Sequence, residues 1–212
     1  MSNTLLESVV KKNRARLIPF MLALYVLAFL DRSNIGFAKE TYQLDTGLSN
    51  EAYALGAGIF FVVYAFLGVP ANLLMRKFGA RKWIGCTTLL WGLLSAAMAW
   101  ADTEAKFLLV RTLLGAAEAG FFPGMIYLTS QWFPQQNRAS IMGLFYMGAP
   151  LALTLGSPLS GALLEMHGFM GHHGWFWMFI IEGLLAVGAG FFTFFWLDDT
   201  PQKARFLSAA EK

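Results

Sequence analysis

The chain has 212 residues, of which 57% are hydrophobic, 16% aromatic and only 14% charged. Soluble domains carry about 25% charged residues, so this composition indicates a membrane protein rather than a soluble domain. The single cysteine, Cys86, excludes an internal disulfide framework. The net charge of +3 would indicate a nucleic-acid partner only if the basic residues formed a soluble patch, and their positions in the chain argue against one.

Six segments are long and apolar enough to cross a hydrocarbon core of about 30 Å, which takes about 20 helical residues. None of them alternates with a period of two, so each is predicted to be a transmembrane helix and not a barrel strand. The predicted fold class is therefore an all-α membrane protein. The predicted spans are Leu17–Ala38, Ala52–Met75, Trp83–Ala101, Phe107–Phe133, Ala139–Leu164 and Trp175–Leu197.

The basic residues outside the spans concentrate before span one, between spans two and three, and after span six, whereas the connections on the opposite side hold only Lys39 and Lys106. By the positive-inside rule, both termini are predicted to be cytoplasmic. The predicted domains are a cytoplasmic N-terminal segment (1–16), a six-helix bundle (17–197) and the start of a cytoplasmic central loop (198–212). The polar end has no terminal feature, so we expect the chain to be cut within that loop.

Asp31 and Arg32 stand side by side near the end of the first apolar run. A helix that stopped before them, covering only Leu17–Leu30, would be roughly 21 Å long at 1.5 Å per residue, which is too short for the membrane core. The helix is therefore predicted to continue to about Ala38. This places both charges inside the membrane, in a polar cavity.

Span four carries Arg111 and Glu118, and their spacing of seven residues puts them on one helical face, roughly 10 Å apart along the axis. Ionisable residues within membrane helices are rare and indicate function by default. Both residues are predicted to face one cavity, although Arg111 could instead extend its side chain towards the membrane surface. Glu182 in span six is interpreted as a structural partner for one of the arginines.

These residue types suggest a chemistry. An arginine in a low-dielectric cavity stays charged and presents a planar fork that matches a carboxylate, so it selects organic anions. The protonation of a neighbouring carboxyl group then depends on whether an anion occupies that arginine. Proton uptake and anion uptake can thus be coupled. The buried acids show no nucleophile–base pairing or metal-ligand spacing, so neither an enzyme nor a cofactor is predicted.

Three histidines, His167, His172 and His173, cluster in the connection between spans five and six. A metal site is one interpretation of this cluster. The interpretation preferred from the sequence is a solvated loop without metal.

Several motifs point to a known family. They are Leu30-Asp31-Arg32-Ser33-Asn34-Ile35, Val69-Pro70-Ala71-Asn72, Arg76-Lys77-Phe78-Gly79-Ala80-Arg81, and Arg111-x3-Gly115-x2-Glu118-Ala119-Gly120-Phe121-Phe122-Pro123-Gly124. With these motifs, the chain resembles the N-terminal six-helix half of the major facilitator superfamily, and in particular its anion:cation symporter family. The loop between spans two and three departs from the superfamily signature, because Asn72 and Arg76 stand where glycine and aspartate are usual.

The resemblance implies half of a twelve-helix transporter built of 3+3 inverted repeats in the bacterial inner membrane. Its partners would be the lipid bilayer and a second six-helix half. The implied activity is proton-coupled symport of a sugar-derived organic acid anion into the cytoplasm by alternating access, with an aldonate such as L-rhamnonate as substrate. An organic-anion exchanger of the same fold and a membrane acid sensor are the alternatives.

The resemblance also assigns roles to residues. Arg32 matches the family's substrate-binding arginine, and Tyr64 matches a position that contacts substrate. Arg111 is predicted to join them in the substrate site. Asp31 and Glu118 match the acids implicated in proton coupling.

Overall fold

The computed structural model describes the backbone of residues 3–212 and the side chains from Leu5 onward, so residues 1–2 of the predicted N-terminal segment lie outside the described residues. Six helical units within this range are long and apolar enough to cross a membrane, as the sequence predicts. Two of these units are each made of two consecutive helices. The helices are α1 (Asn3–Thr46), α2 (Asn50–Phe78), α3 (Ala80–Ala97), α4 (Glu104–Glu118), α5 (Phe121–Trp132), α6 (Gln135–Tyr146), α7 (Gly148–Leu164) and α8 (Gly174–Trp196), with short 3-10 helices at Met98–Trp100, Phe169–Gly171 and Pro201–Lys203.

Helix α1 runs without interruption through Asp31 and Arg32 for 44 residues. A chain segment in lipid must satisfy its own backbone hydrogen bonds, so the helix continues past the two charges. It ends where Gly47 adopts a φ of 71° and its N–H donates to the Gln43 carbonyl at 2.9 Å. Glycine takes this left-handed conformation without a steric penalty, which makes it a common helix terminator.

Spans four and five are each interrupted, whereas the sequence predicts span four to be one continuous helix. Helix α4 ends at Glu118 and α5 begins at Phe121, and the break lies four residues before Pro123. A proline ring clashes with the carbonyl group four residues earlier and lacks an N–H, so it disrupts the helix there. Pro150 follows the break between α6 and α7 in a similar way, and the carbonyl group four residues before it belongs to Tyr146, the last residue of α6.

The helices pack in a symmetric pattern: α1 against α7, α2 against α4, and α3 against α8. In terms of spans, these pairs are one with five, two with four, and three with six. Exchanging spans one to three with spans four to six reproduces the same set of pairs. This is the pattern expected of two three-helix repeats related by a pseudo-two-fold axis.

Glycines allow these helix pairs to approach closely. A Cβ placed on Gly115 of α4 would lie 2.4 Å from the Phe60 carbonyl oxygen on α2. A Cβ on Gly183 of α8 would lie 2.6 Å from the Ala96 backbone nitrogen on α3. Small residues at membrane-helix interfaces have this effect because they bring the backbones together.

Buried apolar side chains form two clusters that are separated along α1 by the stretch Asp31–Asn34. On the outside, Phe66 and Phe195 are 78% and 72% exposed. Many other large apolar side chains are exposed as well. A soluble protein rarely exposes such an extensive apolar surface, whereas a surface that faces lipid requires one. The charged residues of α1 therefore lie at an internal polar layer between two apolar regions.

The two ends of the bundle differ in their connections. The side of the bundle where the described chain begins and finishes is called the terminal end. The opposite side, with the α1–α2 and α7–α8 connections, is called the distal end. At the terminal end, Gly79 has a φ of 89° between α2 and α3, and the Arg81 N–H donates to Asp199 Oδ1 at 3.0 Å. Asp199, which follows α8, thus supplies the carboxylate that the α2–α3 loop itself lacks.

The final residues also pack on α1. Lys12 Nζ donates to both carboxylate oxygens of Glu211, at 2.7 and 2.8 Å, and Ser8 Oγ donates to one of them at 3.1 Å. Arg205 Nε donates to Asp198 Oδ1 at 2.7 Å. The segment predicted to begin a central loop is thereby held against the start of α1.

Candidate functional site

The central feature of the polar layer is an ion pair between α1 and the end of α4. Arg32 Nε donates to Glu118 Oε2 at 2.8 Å. The Glu118 side chain is completely buried, whereas that of Arg32 is 16% exposed. Glu118 is the last residue of α4 and directly precedes the helix break at Ala119–Gly120. The ion pair thus joins the first helices of the two repeats.

Two aromatic rings of α2 support the Arg32 guanidinium. Its Cζ lies 4.7 Å from the centre of the Tyr64 ring and 5.9 Å from that of Phe60. The two rings stack on each other with their centres 5.9 Å apart. Aromatic faces attract cations, most strongly where water is excluded. The structure therefore brings together Arg32 and Tyr64, two of the three residues predicted to bind substrate.

Asp31 is 6% exposed, and its carboxyl group lies beside that of Glu118. Its Oδ1 accepts a hydrogen bond from Ser95 Oγ on α3, and its Oδ2 has no hydrogen-bond partner within residues 5–212. Consecutive helical residues are about 100° apart around the axis. Asp31 therefore reaches Ser95 on α3 while Arg32 lies against Tyr64 on α2, although both are close to Glu118. Asp31 is a buried carboxyl group without a direct ion pair.

Arg111 is buried to 2% exposure and does not extend towards the membrane surface. Its Nε donates to the Gly56 carbonyl on α2 at 3.1 Å, and its Cζ lies 4.5 Å from the centre of the Phe60 ring. No carboxylate lies within ion-pair distance of it in the part of the chain that the structure describes. The ring of Phe60 thus lies close to both guanidinium groups, with Arg32 the more exposed of the two.

Glu182 does not pair with an arginine among the described residues, so the interpretation as an arginine partner is wrong. Its Oε1 accepts from Ser160 Oγ on α7 at 3.2 Å, and the side chain is 4% exposed. Helix α8 packs against α1, α3 and α7, and there Glu182 lies near Asn34 of α1 and not near an arginine. Arg32 instead reaches Glu118 of α4, and Arg111 reaches Gly56 of α2. Glu182 belongs to a second part of the polar layer.

Sequence reasoning missed three members of this layer: Ser95, Ser160 and Phe60. Ser95 and Ser160 are fully buried polar residues in apolar spans, and each donates to a buried carboxyl group. Buried hydroxyl groups require a partner, so their presence in membrane spans was an available signal. Phe60 had no such signal, because one phenylalanine among 20 in the chain carries no distinguishing pattern.

The relatives of the chain decide its family. Residues 21–212 match the family model of the Major Facilitator Superfamily. The chain belongs to this superfamily. It is 90% identical over all 212 residues to the inner membrane transport protein RhmT of Escherichia coli (strain K12), of which it covers 49%. It is 49% identical over its whole length to a protein of Agrobacterium vitis named as a candidate tartrate transporter, of which it also covers 49%.

A solved structure shows the same fold. The crystal structure of a bacterial homologue of the human lysosomal transporter Spinster, in an inward-facing and occupied conformation, matches with a TM-score of 0.81 at 19% identity. The match covers 93% of this chain and 46% of that chain. At this identity, the likeness establishes the fold alone.

These findings confirm the family resemblance, the six-helix half of the fold and the prediction that the protein is not an enzyme, since the relatives are transporters. The chain spans about half the length of the curated relatives it matches. Together with the six membrane-length helices, the relationship to an inner membrane transport protein supports a multi-pass inner-membrane protein.

Proposed function

We propose that the complete protein is a proton-coupled symporter that carries a sugar-derived organic acid anion, an aldonate such as L-rhamnonate, into the cytoplasm by alternating access. The observation that carries this proposal is the ion pair between the partly exposed Arg32 and the buried Glu118. Both termini of the present chain are cytoplasmic in this proposal. Residues 1–16 are a cytoplasmic segment, residues 17–197 the bundle, and residues 198–212 lead to a second six-helix half.

The substrate carboxylate binds Arg32. The guanidinium presents several donors, and only Nε is used by Glu118, while Nη2 has no acceptor among residues 5–212. Arginine suits this role because its planar fork matches both oxygens of a carboxylate. Tyr64 lies against the same guanidinium and forms the adjoining wall of the site. Arg111 is a second cation that favours an anion in this region of the bundle.

Proton coupling follows from competition for Arg32. When the substrate carboxylate takes the guanidinium, Glu118 is left buried without its cation, and an isolated buried charge is strongly unfavourable. Uptake of a proton by Glu118 removes that charge. By reciprocity, a proton on Glu118 releases Arg32 for the substrate. Each therefore promotes binding of the other, which is the requirement for symport.

Asp31 is a second protonatable group in this proposal. Its carboxyl group is buried, lies within interaction range of Glu118 and both arginines, and is held by Ser95 rather than by a cation. A proton can therefore pass between Asp31 and Glu118 within the polar layer. The names of the relatives support an organic acid as substrate, since one is named for transport of tartrate, a hydroxylated carboxylate.

The test is transport by the full-length protein in sealed proteoliposomes. Radiolabelled L-rhamnonate should accumulate when the interior is made alkaline, and a protonophore should abolish the accumulation. Tartrate serves as a competitor. Uptake that does not depend on the pH gradient but is stimulated by organic anion inside the liposomes would establish exchange instead of symport. If no sugar acid is taken up, the transport assignment is wrong.

A further inference from the structure

Three side chains from separate segments converge at the distal end of the bundle. Asp45 lies in the last turn of α1, His167 follows α7, and His173 immediately precedes α8. One ligand atom from each lies within 4.8 Å of the other two. We propose that these three residues bind a divalent transition-metal ion such as Zn²⁺. This site is remote from the polar layer and is independent of the proposed transport activity.

The set of ligands favours a particular class of metal. Two imidazole nitrogens and one carboxylate oxygen suit Zn²⁺, Ni²⁺, Co²⁺ or Cu²⁺, whereas Ca²⁺ and Mg²⁺ prefer oxygen ligands alone. Zinc binds such ligands at about 2.0–2.2 Å, with water in the remaining position of sites that have three protein ligands. The three atoms must move somewhat closer together to reach this geometry. His167 is exposed, so its ring can rotate to do so.

Two of the ligands are already held in position by Trp175. Its indole Nε1 donates to Asp45 Oδ2 at 2.8 Å, and its ring stacks on that of His173 with centres 5.5 Å apart at an angle of 8°. Trp175 itself is 5% exposed and packs edge-on against Tyr42 of α1. Metal sites commonly rely on such a second layer of contacts to orient the ligands. A loop with histidines that were merely solvated would not require this support.

The loop geometry brings the third ligand to the same place. Gly168 and Gly171 have φ values of 87° and 77°, which only glycine adopts readily, and they turn the chain tightly after α7. The Gly168 N–H donates to the His172 carbonyl at 2.9 Å and closes the loop. As a result, the rings of His167 and His173 lie with their centres 5.3 Å apart.

Asp45 Oδ2 lies 2.7 Å from His173 Nδ1, so a proton occupies this contact when no metal is bound. A metal ion replaces that proton, because metal ligands must be deprotonated. The ion would join the last turn of α1, the loop after α7 and the start of α8. Its effect is to hold the distal ends of these helices together within one half of the transporter.

The test is titration of the full-length protein, with any affinity tag removed, in detergent with Zn²⁺ and separately with Co²⁺. Saturable one-to-one binding is expected, together with a rise in melting temperature that chelation reverses. Co²⁺ should give a ligand-field absorption spectrum that reports histidine coordination.

The variants H167A, H173A and D45N should each weaken binding at least tenfold. The matched control is H172A, in the same loop, because His172 stacks on Phe176 and is outside the cluster. Trp175→Phe keeps the ring but removes the hydrogen bond to Asp45 and should weaken binding about 10–100-fold. Melting temperatures measured in chelator show whether each variant is folded. Absence of saturable binding up to millimolar Zn²⁺, or an equal loss in H172A and H173A, would overturn the proposal.

Discussion

Arg32 and Glu118 form a 2.8 Å ion pair across the two three-helix repeats, although they are separated by 86 positions in the chain. The carboxylate is fully buried, and the guanidinium retains 16% exposure beside Tyr64. An ion pair in which only the cation is accessible can exchange its partner for an anion from outside. This asymmetry leads to the first two predictions.

Replacement of Arg32 by alanine should abolish high-affinity substrate binding. Loss of a charge-assisted hydrogen bond typically costs about 1.5–3 kcal/mol, equivalent to about a 10–100-fold loss of affinity, and a bidentate contact costs more. R32K keeps the charge but not the fork, so it should bind with intermediate affinity. Isothermal titration calorimetry of the purified full-length proteins with L-rhamnonate measures these affinities. R14A, at an exposed position of α1, is the matched control. Normal binding by R32A would remove Arg32 from the site.

Glu118→Gln should abolish proton-driven accumulation while counterflow continues. Glutamine resembles the protonated acid and cannot lose a proton, so substrate can bind but cannot be coupled to the gradient. Substrate affinity of the variant should also be less dependent on pH than that of the unmodified protein. Vesicle uptake with and without a pH gradient distinguishes the two activities. E104Q, in the exposed first turn of the same helix, should behave normally. Accumulation at the unmodified level in E118Q would exclude Glu118 from coupling.

Gly115→Ala should destabilise the contact between the two repeats. The added Cβ would lie 2.4 Å from the Phe60 carbonyl oxygen, a backbone atom that cannot move away independently. Overpacking of this kind typically costs about 1–3 kcal/mol. The melting temperature in detergent should fall, and substrate binding should weaken because Phe60 lies beside both arginines. G58A is the control, since a Cβ there meets nothing within 4 Å. Equal melting temperatures for the two variants would contradict the close approach.

Glu211→Gln should release the final segment from α1. The hydrogen bond from Lys12, with those from the Ser208 backbone and the Ser8 and Ser208 hydroxyls, lowers the pKa of Glu211 to about 2 from its usual 4.5. A lowered pKa means that the contact contributes fully above pH 4.5 and is lost as the pH falls towards 2. Hydrogen exchange at neutral pH should therefore be faster across residues 198–212 in E211Q. E165Q, at the distal end, should leave this exchange unchanged.

Much of the architecture was accessible from the sequence because hydropathy and length are local properties. A helix from Leu17 to Leu30 would be too short to cross the membrane, so Asp31 and Arg32 were predicted to lie within the helix. Helix α1 confirms this prediction. The helix break next to Glu118 was missed. Pro123 was visible in the sequence, but membrane helices often tolerate proline when neighbours satisfy the freed backbone groups.

The sequence by itself determined the six spans, the family motifs and the identity of the buried charges. Only the tertiary structure decided the partner of each charge: Glu118 for Arg32, Ser95 for Asp31, and Ser160 rather than an arginine for Glu182. A helical period fixes the face on which a residue lies. The partner depends on how neighbouring helices rotate and slide against each other, and that is set by close contacts between residues distant in the chain.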